Sequence, residues 1–402
     1  MQYGQTEAVT GRPKAETHSG GEAHRLCGGQ STGTLALILL LTAAGCGAEG
    51  PWFGASEEGA ENIRIMTWNV QAFFDGTERG NEYNKYRGAA WNQEKYMARL
   101  NGLIQALDKL EETPDILALE EVENEGVLKD LADRISSSRG YRWTFFAGNP
   151  GHSLGLGVLS RIPFTKAAVH SLSYRNEAIP RPVLELWVEI RGSPIALFVC
   201  HWKSKLGGED ATGKLRRGAA RIILRRMREI GKTHPSMPVL IMGDLNENHD
   251  EFYRRNGAVT GALIPDDPEA AEATGFGKTP TSTAQADFLI LSGRKPPVPE
   301  FFPPDATGLY SPWTEALGEG SYYYRDEWET IDHFLLSSGF FDGSEWEFDG
   351  CRVAESPPFV NARGHPNAYN PQTGAGLSDH LPLILTLRFI ETGAPGKYGG
   401  GP

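Results

Sequence analysis

The stretch Val239-Leu240-Ile241-Met242-Gly243-Asp244-Leu245-Asn246 sets the tightest limit on what this chain can fold into. Four apolar residues without polar alternation read as a strand buried on both faces, ending where a glycine lets the backbone turn. Asp244 and Asn246 then project from the mouth of a core strand. A carboxylate and a carboxamide fixed there suit a hard cation or a nucleophilic water. Gly-Asp-x-Asn is also an ordinary Asx turn, so the weight of the stretch comes from further polar clusters at the ends of other apolar runs.

Those runs recur along the chain. Ile63 to Trp68 alternates as a strand and delivers Asn69. A helix over Asn92 to Glu112 places Tyr96, Leu100, Leu103, Ile104, Leu107 and Leu110 on one face, stopped by Thr113-Pro114. Asp115 to Glu121 is a second buried strand ending in carboxylates, followed by a helix with Val127, Leu128, Leu131 and Ile135 inward. Leu156 to Arg161 is a strand closed by Pro163. Val183–Ile190 and Ile195–Val199 pair across Arg191-Gly192-Ser193-Pro194 and lead into Cys200-His201-Trp202-Lys203-Ser204-Lys205. The next helix sets Leu215, Ala219, Ile222, Ile223, Met227 and Ile230 against an arginine face, which reads either as solvated surface or as an attractor for phosphate. From about Asn256 to Gly320 the chain is rich in Pro, Ala and Gly and reads as long loops or an insertion. Strands return at Thr330–Ser337 and, after Ser378-Asp379-His380, at Leu383–Leu387.

Asn69, Glu121, His201, Asp244, Asn246, Asp332, Asp379 and His380 all stand at the edge of an apolar run. Sheets present ligands at strand ends, so residues scattered in sequence can converge. Carboxylates gathered this closely call for a cation, because their repulsion otherwise raises their pKa values. With oxygen donors and no Cys/His spacing for zinc, that cation is Mg2+ or Mn2+, with Ca2+ a third candidate. Two imidazoles beside it suit phosphoryl chemistry.

Trp68-Asn69, Leu119-Glu120-Glu121-Val122-Glu123-Asn124, Gly243-Asp244-Leu245-Asn246, Ile331-Asp332-His333 and Ser378-Asp379-His380 resemble, in order, the motifs of the endonuclease/exonuclease/phosphatase superfamily, deoxyribonuclease I-like branch. The resemblance spans roughly Ile63 to Ile390. One departure is Glu120, where the family usually has glutamine. The resemblance implies a four-layer α/β sandwich, two mixed β-sheets packed face to face with helices outside. It implies Glu121 and Asn69 as metal ligands, and Asp244 and Asn246 orienting or deprotonating the attacking water. Asp332 would pair with His380 on the scissile phosphate, with Asp379 holding the site and His201 as a second catalytic histidine. His201-Trp202-Lys203-Ser204-Lys205, Arg181-Pro182 and the tyrosine run before Trp328 also resemble secreted bacterial nucleases of this superfamily. Arg181, Lys203 and Lys205 are the expected phosphate contacts. Trp202, Trp328 and the tyrosines can either stack on bases or fill core.

The chain carries 39 basic and 51 acidic residues, a net charge of −12, which excludes a generic nucleic-acid coat and leaves a nuclease open. Residues 1–45 read as a signal region: Leu35 to Leu41 has the length of a signal-peptide core, and the small residues before Cys46 resemble a lipoprotein signal. Residues 46–62 read as a tether, 63–390 as the domain, and 391–402 are expected as a disordered tail. Cys200 and Cys351 are expected as buried thiols. The expectation is an extracytoplasmic, lipid-anchored, metal-dependent phosphodiesterase cutting DNA with low sequence specificity, with no obligate protein partner. The alternative is a phosphoesterase for small molecules or lipid headgroups, of the sphingomyelinase or inositol-phosphate phosphatase type.

Overall fold

The computed structural model of the chain describes residues 37–39, 61–148, 152–174, 177–275, 286–303 and 306–391. Cys46, most of the expected leader and tether, and the tail beyond 391 lie outside them. Two mixed sheets carry the fold. One has six strands in the order Glu345–Val353, Leu383–Ile390, Asn62–Phe73, Ile116–Val122, Gly155–Ser160 and Trp143–Ala147. The other has nine: Leu37–Leu39, Phe164–Tyr174, Glu177–Ile190, Ser193–His201, Val239–Asp244, Asp332–Leu336, Gly308–Tyr310, Leu289–Ser292 and Leu263–Pro265. The three-residue edge strand Leu37–Leu39, which the sequence places in the leader, pairs antiparallel with Phe164–Tyr174.

The sheets pack face to face: Asn62–Phe73 and Ile116–Val122 lie against Val239–Asp244, and Leu383–Ile390 against Asp332–Leu336. Burial explains why the central strands lack polar alternation. Leu197, Val199, Leu240 and Met242 point into the core between the sheets, with Ile65, Leu117 and Leu385 opposite. Their neighbours Ala196, Phe198, Val239 and Ile241 point the other way, onto Ala219, Ala220, Ile223 and Ile230 of the helix Glu209–Thr233. Both faces are covered, so a two-residue period has nothing polar to alternate with. Each fully buried Leu or Ile of this kind stabilises the fold by about 1.5–3 kcal/mol relative to exposure. Gln93–Leu107 and Glu125–Arg139 pack together, the latter also against the six-stranded sheet, completing four layers.

Several elements differ from expectation. The first helix ends at Leu107 rather than Glu112, because Lys109 and Leu110 donate to carbonyls three residues back and tighten the chain into a turn. Within residues 256–320, read as long loops or an insertion, Leu263–Pro265, Leu289–Ser292 and Gly308–Tyr310 are strands that extend the larger sheet. Trp143–Ala147, Phe164–Tyr174 and Glu345–Val353 are strands that the apolar pattern did not single out. Cys200 and Cys351 are free thiols, the first buried and the second half-buried.

Strand direction gathers the polar ends. Ser193–His201 and Val239–Asp244 run parallel with His201 beside Asp244, and Asn62–Phe73 runs parallel to Ile116–Val122 with Asn69 beside Glu120. The strands that begin rather than end at the same edge run antiparallel: Asp332 faces Asp244, and Leu383, just after His380, faces Thr67.

Candidate active site

Gly243 lets the two central strands close at this edge. Its φ is +123°, and a Cβ there would lie 1.9 Å from the Cys200 carbonyl oxygen. Only glycine fits so close an approach, and it lets the strand deliver Asp244 beside His201. His201 Nε2 lies 3.3 Å from Asp244 Oδ2 and 3.9 Å from Glu121 Oε1. Asn69 Nδ2 donates to Asp244 Oδ2 at 3.1 Å, and the Asn246 backbone N–H donates to Oδ1 at 2.9 Å. Burial opposes ionisation of Asp244. The His201 hydrogen bond and charge, with the charges of His380 and Arg181, nevertheless hold its carboxyl well below the usual range.

Across the site His380 Nδ1 lies 2.8 Å from Asp332 Oδ2, which also accepts from Ser321 Oγ at 2.6 Å. Burial disfavours an imidazolium, but the charge and hydrogen bond of Asp332, joined by Asp244 and Asp379, hold the His380 pKa well above its ordinary value. The backbone of His380 is fixed too: Trp68 Nε1 donates to its carbonyl at 3.0 Å and its N–H reaches Ser378 Oγ at 3.1 Å. Ser378 Oγ in turn donates to the Asn69 carbonyl at 2.6 Å, tying the two motifs together. Asp379 is half-buried beside them, its pKa raised by burial and by the Glu121 charge, against the charge of His380.

The donor set fits a hard divalent cation. Among the described residues, Asp244, Asp332 and His380 each offer a ligand atom within 4.8 Å of the others. Asp332 Oδ1 is buried with no hydrogen-bond partner. With His380 Nδ1 engaged by Asp332, the oxygen donors that would hold a hard cation here are those of Glu121, Asn69, Asp244 and Asp332. Glu121 lies outside that tight group. Its Oε2 accepts the Ala72 N–H at 2.7 Å, and its backbone is left-handed at φ +66°.

Residues 64–261 match the sequence model of the Endonuclease/Exonuclease/phosphatase family. This part of the chain belongs to that family. No curated protein sequence matches the chain. Among solved structures, truncated TDP2 from Caenorhabditis elegans is similar at 15% identity and TM-score 0.47, over 81% of this chain and 98% of that one. An endonuclease/exonuclease/phosphatase family protein from Bacteroides thetaiotaomicron is similar at 14% identity and TM-score 0.47, over 82% and 98%. The human Nocturnin catalytic domain with bound sulfate is similar at 17% identity and TM-score 0.42, over 82% and 95%. Hydrolysis of phosphoester bonds is the activity that goes with the family, and the motifs beyond residue 261, Asp332 and Ser378-Asp379-His380, meet the matched ones at one edge.

The departure from the family's glutamine has a physical reading. Glu120 is fully buried, accepts from Thr67 Oγ1 at 2.8 Å and leaves Oε2 without a partner. Burial, with the Asp332 and Asp244 charges, pushes its pKa well above the usual carboxylate value. Its side chain is sealed inside the sheet against Thr67, which leaves Glu121 as the carboxylate that can face a cation.

The cations around the site divide. Arg181, with φ +84°, donates to the Trp202 carbonyl, and its charge acts on both Asp244 and Lys203. Lys203 is half-buried and, among the described residues, reaches only neutral oxygens, Ser204 O and Oγ and Leu206 O, at 3.2–3.3 Å. Burial and the nearby Arg181 and Arg216 charges lower its pKa. Lys205 is instead committed to Glu251 at 2.7 Å, with Glu329 at 3.5 Å, and brings the Glu251 pKa down to about 2 against burial. The arginine helix face is engaged as well: Arg216 is buried on Glu247 and Glu209, Arg226 binds Glu185 and Arg221 binds Asp287. Trp202 is buried in the core under that helix. Trp328 packs on Tyr323 and His365, while Tyr322 lies 4.6 Å from the His380 ring. Sequence reasoning missed Ser321, whose hydroxyl bonds both the carboxylate and the backbone N–H of Asp332, and the backbone of Ala72, since neither has a motif to announce it.

Proposed function

We propose that the chain is a divalent-metal-dependent phosphodiesterase that cleaves DNA endonucleolytically with little sequence preference. The observation that carries this reading is that Arg181 and Lys203 lie close enough for their charges to act on each other, with Arg181 also acting on Asp244, while among the described residues their hydrogen bonds go to neutral oxygens. Like charges brought together and partly desolvated are costly until an anion arrives, and a polyanion offers several in a row.

The residues divide the work. Asp332 fixes the His380 tautomer and charge, so the imidazolium can donate to a phosphate oxygen and stabilise the charge developing there. Asp244, a weak base but a strong acceptor, orients the attacking water with Asn246 and Asn69. His201, between Asp244 and Glu121, is placed to exchange a proton with that water. A divalent cation held by Glu121 and Asn69, with Asp244 and Asp332 adjacent, would supply charge neutralisation on the phosphate and ease ionisation of water.

A lipid-headgroup phosphoesterase is the second reading. It is favoured by Leu206, 84% exposed in the loop just beyond Lys203, a side chain suited to a membrane surface. Extracytoplasmic placement by lipid on Cys46 belongs to both readings and rests on the sequence around residues 35–46. The test is supercoiled plasmid with Mg2+ or Mn2+. Nicking that is abolished by EDTA and by His380→Ala supports the nuclease. Intact plasmid and linear DNA, with turnover of sphingomyelin or inositol phosphates, supports the second reading instead.

A further inference from the structure

The strand Asn62–Phe73 does not end at Asn69. It breaks register with Ile116–Val122 between Asn69 and Phe73, and the break is two consecutive non-glycine residues in the left-handed region, Gln71 and Ala72, both at φ +55°. Two such residues in succession persist only where their surroundings over-determine them. Here the surroundings are built by Arg99, which is 3% exposed on the helix Gln93–Leu107.

Arg99 bonds neutral oxygens. Nη1 donates to the Ala72 carbonyl at 2.9 Å and to Tyr86 Oη at 2.6 Å. Nη2 donates to the carbonyls of Gln71, at 2.7 Å, and Val70. Tyr86 Oη passes a further hydrogen bond to the Gln71 carbonyl at 3.1 Å, and the Tyr369 ring centroid lies 4.0 Å from the guanidinium carbon. A buried cation is normally kept by a carboxylate, whereas this one is kept by three successive carbonyls and an aromatic face. The rigid fork of a guanidinium can hold three diverging carbonyls at once, which an ammonium cannot.

The bulge has two outputs. The Ala72 N–H it exposes donates to Glu121 Oε2, and the Gln71 N–H donates to Asn69 Oδ1 at 3.0 Å, leaving Asn69 Nδ2 for Asp244. We propose that Arg99 is a positioning residue that fixes the Gln71–Ala72 bulge and through it the cation-binding geometry of Glu121 and Asn69. The proposal rests on the reading that these two residues hold the divalent cation.

The experiment is Mn2+ titration of the metal-free full chain, read from the EPR signal of free Mn2+, alongside thermal unfolding. Arg99→Lys keeps the charge and loses the three-carbonyl grip. It is expected to fold and to raise the Mn2+ Kd roughly 10–100-fold, the usual effect of removing a group that orients a ligand. Arg226→Gln removes a half-buried cation elsewhere in the fold, from the Glu185 ion pair, and is expected to lower Tm with the Mn2+ Kd unchanged. If Arg99→Lys fails to fold, Tyr86→Phe, which removes one support of the same clamp, is read by the same criterion with a smaller expected shift. Wild-type Mn2+ affinity in the folded clamp variant overturns the proposal, as does equal weakening in Arg226→Gln. A wild-type chain that binds no Mn2+ overturns the metal reading itself, and the proposal with it.

Discussion

His380 shows how one pair of side chains decides chemistry. Burial alone would keep its imidazole neutral, and Asp332 reverses that. Asp332→Asn removes the charge and leaves the burial, so the pKa of His380 falls. The alkaline limb of the pH–rate profile, which reports loss of the imidazolium, is expected to move to lower pH, with kcat down roughly 10²–10⁴-fold. An unchanged limb would take the pair out of the mechanism. Glu120 carries the opposite lesson. Its folded pKa lies above the unfolded value of about 4.3, so as pH rises past that value the unfolded chain releases a proton the folded chain keeps. In EDTA the stability of the wild type should decline from about pH 4 toward neutrality through this group, and Glu120→Gln should flatten that decline. Tm measured across the same range checks it, and parallel curves would refute it. The sequence showed which polar residues stand at strand ends, because a strand-end carboxylate has its own pattern. It did not show Arg99, Ser321 or the bulge, since a backbone bent into the left-handed region at Gln71 and Ala72 leaves no mark on residue type.

At the scale of elements, legibility followed burial. Val239–Asp244 and Ser193–His201 are covered on both faces, and their unbroken apolar runs announce it. Glu345–Val353 is an edge strand with most of its residues exposed or half-buried, so its sequence Glu-Trp-Glu-Phe-Asp-Gly-Cys-Arg-Val carries no clear period. Leu263–Pro265 and Gly308–Tyr310 are three residues long, too short for any period to register. The arginine face of Glu209–Thr233 misleads in another way, because what looks like solvated charge includes internal anchors. Glu185, fully buried beneath that helix, takes two hydrogen bonds from Arg226, at 2.7 and 3.0 Å, and lies 2.8 Å from His170 Nε2. Burial opposes its ionisation, but the His170 and Arg226 hydrogen bonds hold its pKa well below the ordinary value. Glu185→Gln leaves Arg226 without its buried carboxylate and is expected to cost about 3–5 kcal/mol in urea unfolding, with kcat of the folded protein unchanged. The sign in pH follows from the depressed pKa: this stability is present above pH ~4.3 and is lost as pH falls toward the folded value, so the variant's acid limb should be shallower.

For the whole molecule the tension lies between a net charge of −12 and a polyanionic substrate. Long-range attraction cannot gather DNA to such a surface, so affinity must come from a few cations at the cleft, and these can be counted by salt. Each phosphate neutralised on duplex DNA contributes a slope of about −0.9 to log affinity against log salt. Among the described residues Lys203 bonds only neutral oxygens and lies near Arg181, whereas Lys205 is already paired with Glu251 and Glu329. The two lysines, two residues apart, should therefore behave differently. Lys203→Ala should weaken DNA binding across all sequences and reduce the salt slope by about one. Lys205→Ala should leave the slope alone and lower Tm modestly, because it removes the 2.7 Å ion pair from the buried Glu251, which keeps Arg255. Binding of catalytically disabled His380→Ala protein to a labelled duplex, measured from low to moderate salt, separates the two. A flat wild-type response would mean that no row of phosphates is being read. The weight would then pass to a substrate with a single phosphate, and the exposed Leu206, three residues beyond Lys203, would become the side chain to substitute, with vesicle binding as its readout.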